Sequence, residues 1–287
     1  MITELSYHWI DSVEKANTVL EELSEVQTEY LFCDTEFIRI KDSLPTLQLI
    51  QITYDPFEKS EESKIYIIDC QQESVQESLK NFFLKTKKTF VFHSVRQDLE
   101  GIFQSIGLFP YAFFDLQVAS SFLGFGLSIG LSELAEHYLD VIVDKSLQHS
   151  QWNNRPLSAH QIAYAANDVY YIQKIFPKIQ DELKNLGRYE WCRAYHREYE
   201  KNLHNILIGE KTRLEPMRLD STHRQKFFDC KKSIQKISHD ISIPLSILAS
   251  NDMIQSFVLD SENPLHPFHQ SWRSQILKEI LKQYTNI

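Results

Sequence analysis

The chain is short of the residues that staple or punctuate small folds. Its 287 residues include only four cysteines, and Cys33, Cys70, Cys192 and Cys230 lie far apart with no CxxC pair. That spacing argues against a zinc site or a disulfide framework and suits a reducing, cytoplasmic setting. Seven glycines leave little room for a linker-like chain, and there is no internal repeat or low-complexity tract. The one Gly-rich stretch, GFGLSIGLSEL (124–134), has neither the GxGxxG nor the GxxxxGK[ST] phosphate-binding pattern and reads as a turn before a helix. No run of about 18 apolar residues occurs, so no membrane partner is expected. The opening stretch, MITELSYHWIDSVEKAN, lacks the apolar core with a basic flank that marks a secretory signal.

Positive charge is scarce in one part only. Residues 1–200 carry 18 Lys and Arg against 30 Asp and Glu, whereas residues 201–287 carry 12 against 9. An acidic body with a mildly basic tail argues weakly against nucleic acid as a partner, but the potential near a site outweighs the sum.

What is present is an ordinary globular pattern, 43% hydrophobic. LFCDTEFIRI (31–40), TLQLIQITYD (46–55), KIYIIDC (64–70) and KTFVFHS (88–94) are short and rich in β-branched and aromatic residues, as strands are. YAFFDLQVAS (111–120) reads as a short strand running into a helix. SVQESLKNFFLKT, RQDLEGIFQSI, LSELAEHYL and the run from Leu157 to about Asn185 show helical spacing, the last opening with Ser158 as N-cap. The expected organisation is an α/β domain over residues 1–200, a linker over 201–216 and an all-helical domain over 217–287. In the last, IPLSILASNDMIQSFV suggests a loop, then a helix capped by Ser250 or Asn251.

Three acidic features interrupt this pattern. Asp34 and Glu36 sit in an apolar strand, and the two-residue period turns both to one face, about 7 Å apart. Such a pair loses hydration and repels itself unless something positive lies over it. Asp98 falls near a helix start just after a strand ends, and Tyr164 and Asp168 share a helix face at i, i+4. Each has an ordinary alternative: a half-exposed strand, a surface residue favoured by the helix dipole, a simple Tyr–Asp hydrogen bond.

Taken together and in this order, these stretches resemble the tyrosine-containing branch of the DEDD superfamily of 3′–5′ exonucleases, and within it the ribonuclease D family. Asp34 and Glu36 match its Asp-x-Glu motif, Asp98 in HSVRQDLE its second motif, and Tyr164 with Asp168 its Tyr-x-x-x-Asp. DTEFIRIKDSLPTLQLIQI, FFDLQVAS and DKSLQHSQWNNRPLSAHQIAYAANDVYYI extend the likeness over roughly residues 1–200. The resemblance implies an RNase H-like exonuclease domain, a mixed β-sheet flanked by helices. It also implies two divalent cations, Mg²⁺ or Mn²⁺, which hard oxygen ligands favour. Asp34, Glu36 and Asp168 would hold one, Asp34 and Asp98 would address the second, and Tyr164 would orient the attacking water. Two metals about 3.5–4 Å apart can clamp the attacking and leaving oxygens of a phosphodiester displacement.

The implied activity is 3′–5′ trimming of RNA to nucleoside 5′-monophosphates, with tRNA precursors bearing single-stranded 3′ ends as the substrate. A DNA exonuclease of the same chemistry is an alternative, as is a non-catalytic RNA-binding scaffold. Around the motifs, Lys145 and Arg155 are candidates for substrate phosphates or, more simply, solvated surface charges, and Trp152 is a candidate for base stacking or equally a core aromatic anchor. His93 is a candidate at the substrate that also reads as a strand-end packing residue. Residues 212–287 resemble the helical HRDC domain that ribonuclease D shares with RecQ-type helicases, on RQKFFDCKKSIQKISHDISIPLSILASNDMIQSFV. Arg224, Lys226, Lys231, Lys232 and Lys236 there are candidates for a backbone-binding face or for a merely solvated one.

Overall fold

A computed structural model describes residues 5–39, 44–55, 64–143, 150–208 and 219–285. The chain divides into two compact units, Met1–Gln117 with Ile129–Asp181, and Val118–Ser128 with Glu182–Ile287.

The first unit is built on six strands, β1 (Tyr7–Ile10), β2 (Tyr30–Ile38), β3 (Thr46–Thr53), β4 (Ile65–Asp69), β5 (Thr89–Phe92) and β6 (Ala112–Asp115). They form one mixed sheet in the order β1-β4-β3-β2-β5-β6. β3 runs antiparallel to β2 and β4, while the β1–β4, β2–β5 and β5–β6 pairs are parallel. β3 to β5 are buried along nearly their whole length because helices cover both faces of the sheet. The helices are α1 (Val13–Glu25), α2 (Glu73–Lys85), α3 (Arg96–Ile106), α4 (Leu116–Ser121), α5 (Leu131–Leu139) and α6 (Ala159–Asn185). Phe176 of α6 meets Tyr30, Phe32 and Phe114 on one face, and Phe82 and Phe83 of α2 meet Phe90 on the other.

Two of these elements were not expected from the sequence. β1 has only four residues to signal it. α1 carries a clear signature, an Ser12 N-cap that accepts from the Lys15 N–H and buried Ala16, Val19, Leu20 and Leu23 at helical spacing. The other elements fall within a few residues of the strands and helices read from the pattern.

The second unit is helical: α7 (Tyr189–Leu207), α8 (Ser221–Asp240), α9 (Leu245–Leu248), α10 (Asn251–Leu259), α11 (Ser271–Ile276) and α12 (Lys278–Tyr284). Its core gathers Cys230, Ile234, Ile254, Phe257 and Phe268. Ser250 caps α10 by accepting from the Met253 N–H at 3.1 Å, as expected, but a short helix, α9, stands where a loop was read. Of the expected linker, residues through Leu207 continue α7, and 209–218 lie outside the described residues. The polar composition of α7, which buries Cys192, His196 and Leu203, hid the helix from the reading. The division at 181–182, with 118–128 joining the helical unit, also differs from the boundary expected at residue 200. No described helix is long and apolar enough to cross a membrane.

Candidate active site

β2 lies inside the sheet and carries Asp34 and Glu36 in its C-terminal half, on the face that α6 covers. α6 brings Asp168 to that face. Carboxylate oxygens of Asp34, Glu36 and Asp168 all lie within 4.8 Å of one another, the one such group of three metal-competent side chains among the described residues.

Asp98 reaches the same place from the other face of the sheet. It sits in the first turn of α3, where the helix dipole favours a carboxylate, and it accepts a 2.6 Å hydrogen bond from the Thr35 hydroxyl. Thr35 stands between Asp34 and Glu36 and points the opposite way. α3 starts in the right position because Asp115, at the end of β6, accepts from the Ser94 N–H at 2.8 Å, the Val95 N–H at 3.2 Å and the Gln117 N–H at 2.9 Å. Those bonds hold Ser94 at a φ of 60°, a left-handed conformation uncommon for a non-glycine residue. One hint of this role was legible in the sequence, a carboxylate ending an otherwise apolar strand.

The four carboxylates line an open cleft of about 610 Å³ together with Tyr164, His93 and Arg39. Burial pushes Asp34 up to about 7. Glu36 is held well above the usual carboxylate range by burial, then by the charges of Asp34, Asp168 and Asp98. Asp168 and Asp98 are raised by burial and then by Asp34, with hydrogen bonds from Tyr164 and Thr35 respectively opposing the rise. Burial and the neighbouring Asp168 also push the Tyr164 hydroxyl up, so it stays protonated. Like charges this close cannot all ionise without a counter-charge, and among the described residues no Lys or Arg pairs with any of the four. Glu36 Oε1 is buried with no hydrogen-bond partner at all. A divalent cation fits this donor set: hard oxygens, surplus negative charge and an unsatisfied lone pair.

A profile of the 3′–5′ exonuclease family matches residues 7–184, more than half of the chain and all of these carboxylates. The chain belongs to the 3′–5′ exonuclease family. Ribonuclease D of Sphingobium indicum is 35% identical over 167 residues, 58% of this chain and 41% of that protein. Ribonuclease D of Zymomonas mobilis is 34% identical over the same length, and again 41% of that protein is covered. The chain thus aligns with about two fifths of the length of these relatives. In fold it is similar to Escherichia coli RNase D, described as an exoribonuclease involved in structured RNA processing, with a TM-score of 0.68, 21% identity and 98% of both chains covered. Trypanosoma brucei RNase D in complex with the RNA U12 is similar at a TM-score of 0.52 and 20% identity, covering 62% of this chain and 63% of that one. Divalent-metal use goes with this exonuclease family, and the acidic cluster is present.

Not every residue singled out from the sequence reaches the cleft of this exonuclease fold. Trp152 is only 2% exposed, its ring centroid 6.1 Å from that of Tyr164, so it braces the tyrosine from behind and offers no face to a base. Arg155 is spent on the chain itself. Its Nε and Nη2 donate to Asp69 at 2.6 and 2.8 Å, and its Nη1 donates to the carbonyls of Trp152 and Asn154. Lys145 lies outside the described residues. His93 does line the cleft, and burial lowers its pKa, so the ring is neutral. Its Nε2 donates to the Ile129 carbonyl at 3.0 Å, which the Gln117 side chain also meets at 3.0 Å, fixing the cleft wall before α5.

Arg39 was missed by the sequence reading. Among the described residues it is the one Lys or Arg in the cleft lining, about half-exposed, and 3.8 Å from Glu100, which already takes Arg96 at 3.0 Å.

Proposed function

We propose that the chain is a metal-dependent 3′–5′ exoribonuclease that releases nucleoside 5′-monophosphates. The observation that carries this reading is the clustering of Asp34, Glu36 and Asp168 within 4.8 Å, with Asp98, held by the Thr35 hydroxyl, lining the same cleft. Bound Mg²⁺ or Mn²⁺ would neutralise the cluster and stabilise the charge that develops on the phosphodiester. Asp34, Glu36 and Asp168 would hold one ion, and Asp34 with Asp98 the second. Tyr164 keeps its proton, so it acts as an orienting group rather than a base: its hydroxyl donates to Asp168 and its oxygen can accept from the incoming water. Water attacks the phosphorus, the P–O3′ bond breaks, and the shortened strand leaves with a 3′-hydroxyl. Arg39 at the cleft mouth suits a substrate phosphate.

The substrate we propose is RNA with a single-stranded 3′ end, tRNA precursors foremost, in the cytoplasm. We further propose the helical unit, over 217–287, as an HRDC-like module. Arg224, Lys232 and Lys236 of α8 are exposed and fall on one side of the helix at i, i+8 and i+12, while Lys231 is engaged with Asn251.

The test is 5′-labelled unstructured RNA and its DNA twin, incubated with Mg²⁺, Mn²⁺ or chelator, beside Asp168→Ala protein. A ladder shortening from the 3′ end on RNA, lost with chelator and in the variant, is expected. Equal shortening of DNA would replace the RNA reading with a DNA exonuclease of the same chemistry. RNA binding that is unaffected by chelator, with no shortening of linear or tRNA-precursor RNA, would replace it with a scaffold.

A further inference from the structure

Gln51 is the least satisfied polar side chain near the cluster. It is fully buried in β3, and neither its Oε1 nor its Nε2 has a hydrogen-bond partner. An orphaned carboxamide in a sheet interior is costly, and an apolar side chain of similar volume would avoid that cost. Every other inward position of β3 is occupied in just that way or is paired: Leu49 is apolar, and the Thr53 hydroxyl donates to the Lys64 carbonyl at 2.9 Å.

The register says what Gln51 faces. Its Cα is paired with that of Asp34 across the antiparallel β2–β3 ladder, so both side chains stand on the same face, as Leu49 does opposite Glu36. Directly opposed side chains in such a ladder have Cβ atoms about 4.5–5.5 Å apart, within reach of a carboxamide and a carboxylate. Gln51 is not among the residues that line the cleft, whereas Asp34 is. Its neighbour on the other flank, Ile67 of β4, offers no polar side chain.

We propose that Gln51 is a positioning residue for the cluster: its carboxamide Nε2 donates to the Asp34 carboxylate when a divalent cation is bound, turning the free lone pairs of that carboxylate toward the cleft. This rests on the metal-site reading above. Outer partners of metal-ligating carboxylates act in this way, and their loss costs about 10–100-fold in metal affinity. An amide that no other side chain satisfies is then a cost that the metal-loaded cluster would relieve.

The experiment uses the full chain, calorimetric titration with Mn²⁺, and thermal unfolding without metal, on wild type, Gln51→Leu, Gln51→Met and Asp34→Asn. The expected result is a pair of opposite signs. The two Gln51 variants melt at or above the wild-type temperature without metal, yet bind Mn²⁺ about 10–100-fold more weakly. A merely structural glutamine would lower the melting temperature and leave Mn²⁺ affinity alone, and that result overturns the proposal. Loss of the fold in both Gln51 variants overturns it too, because the proposal makes Gln51 dispensable to the metal-free fold. The metal-site reading fails separately, if wild type and Asp34→Asn take up Mn²⁺ equally. If Asp34→Asn alone loses Mn²⁺, the site stands and the role of Gln51 falls.

Discussion

Asp69 and Asp34 stand two strands apart in the same sheet, each removed from most solvent, and the chain treats them in opposite ways. Asp69 at the end of β4 receives a bidentate guanidinium from Arg155, whose remaining donors go to backbone carbonyls of its own loop and of Gln48 in β3. Asp115 at the end of β6 is a third case, satisfied by three backbone N–H groups. Asp34 lies against Glu36 and Asp168 with no cation from the described chain over any of them. The sequence has Lys and Arg to spare for such pairing, and the fold is able to deliver one, as Arg155 demonstrates. The carboxylates completed by the chain are structural; those left incomplete mark where a counter-charge must come from outside. Burial alone therefore does not distinguish a site from a scaffold in this sheet. The bookkeeping of partners does.

The comparison can be broken most sharply at its two aspartates. Asp34→Asn should lower the rate of 3′-end shortening by about 10³-fold or more, ~4 kcal/mol in the transition state, while the metal-free protein melts no lower than wild type. A folded variant with the wild-type rate would remove Asp34 from the chemistry. Asp69→Asn should behave in the reverse sense. It strands Arg155, whose side chain keeps only about a fifth of its solvent exposure, and should cost about 2–3 kcal/mol of stability, less than a fully buried pair would. Thermal unfolding should then show a loss of several degrees. Residual activity per folded molecule should stay close to wild type, and a large fall in it would draw Asp69 into the site.

Which of these residues the sequence discloses follows from the distance over which each signal acts. Asp34 with Glu36 and Tyr164 with Asp168 are legible because strand and helix periods fix faces over a few residues, and Asp98 because a strand end and a helix start adjoin it. The strands and helices of the first unit from β2 onward are legible for the same reason, whereas β1 and α1 went unread. Arg155 was read as a phosphate candidate or a solvated charge, and its ion pair went unread because its partner, Asp69, is 86 residues away and no local pattern announces the pair. Trp152 reads equally well as a stacking platform or a buried brace until Tyr164 is seen beside it. Gln51 needs the β2–β3 register, which a slip of one residue would reverse.

The uncompensated charge should also be visible as a dependence of stability on pH. A carboxylate unfolds into the ordinary range near 4, whereas folded Asp34 titrates at about 7, and Glu36, Asp98 and Asp168 are shifted in the same direction. Between those limits the folded state binds more protons than the unfolded one, so stability falls as pH rises from about 4 through 7. Metal-free protein should melt several degrees higher at pH 5 than at pH 8, and Mn²⁺ should recover the loss at pH 8 by binding only the folded state. Asp34→Asn should flatten the profile. A metal-free wild type whose melting temperature rises steadily from pH 5 to 8 would mean that the chain already compensates the cluster.

Arg39 is the converse of the cluster, a guanidinium whose carboxylate is shared. Glu100 gives its closer contact to Arg96 and leaves Arg39 at 3.8 Å, half in solvent at the cleft mouth. A surface pair of that kind contributes about 0–1 kcal/mol, so a phosphate entering the cleft can displace it at small cost. Arg39→Gln should leave stability within about 0.5 kcal/mol. It should weaken RNA binding several-fold and make the slope of log affinity against log salt shallower by about 0.7, the share of one single-strand phosphate contact. Binding is best read in an Asp168→Ala background, where the RNA is not consumed. An unchanged slope would return Arg39 to the solvated surface and leave the phosphates to other residues. A shallower one would show that the only Lys or Arg in the described cleft lining serves the substrate, and that the carboxylates were left unpaired although a guanidinium lay within the same cleft.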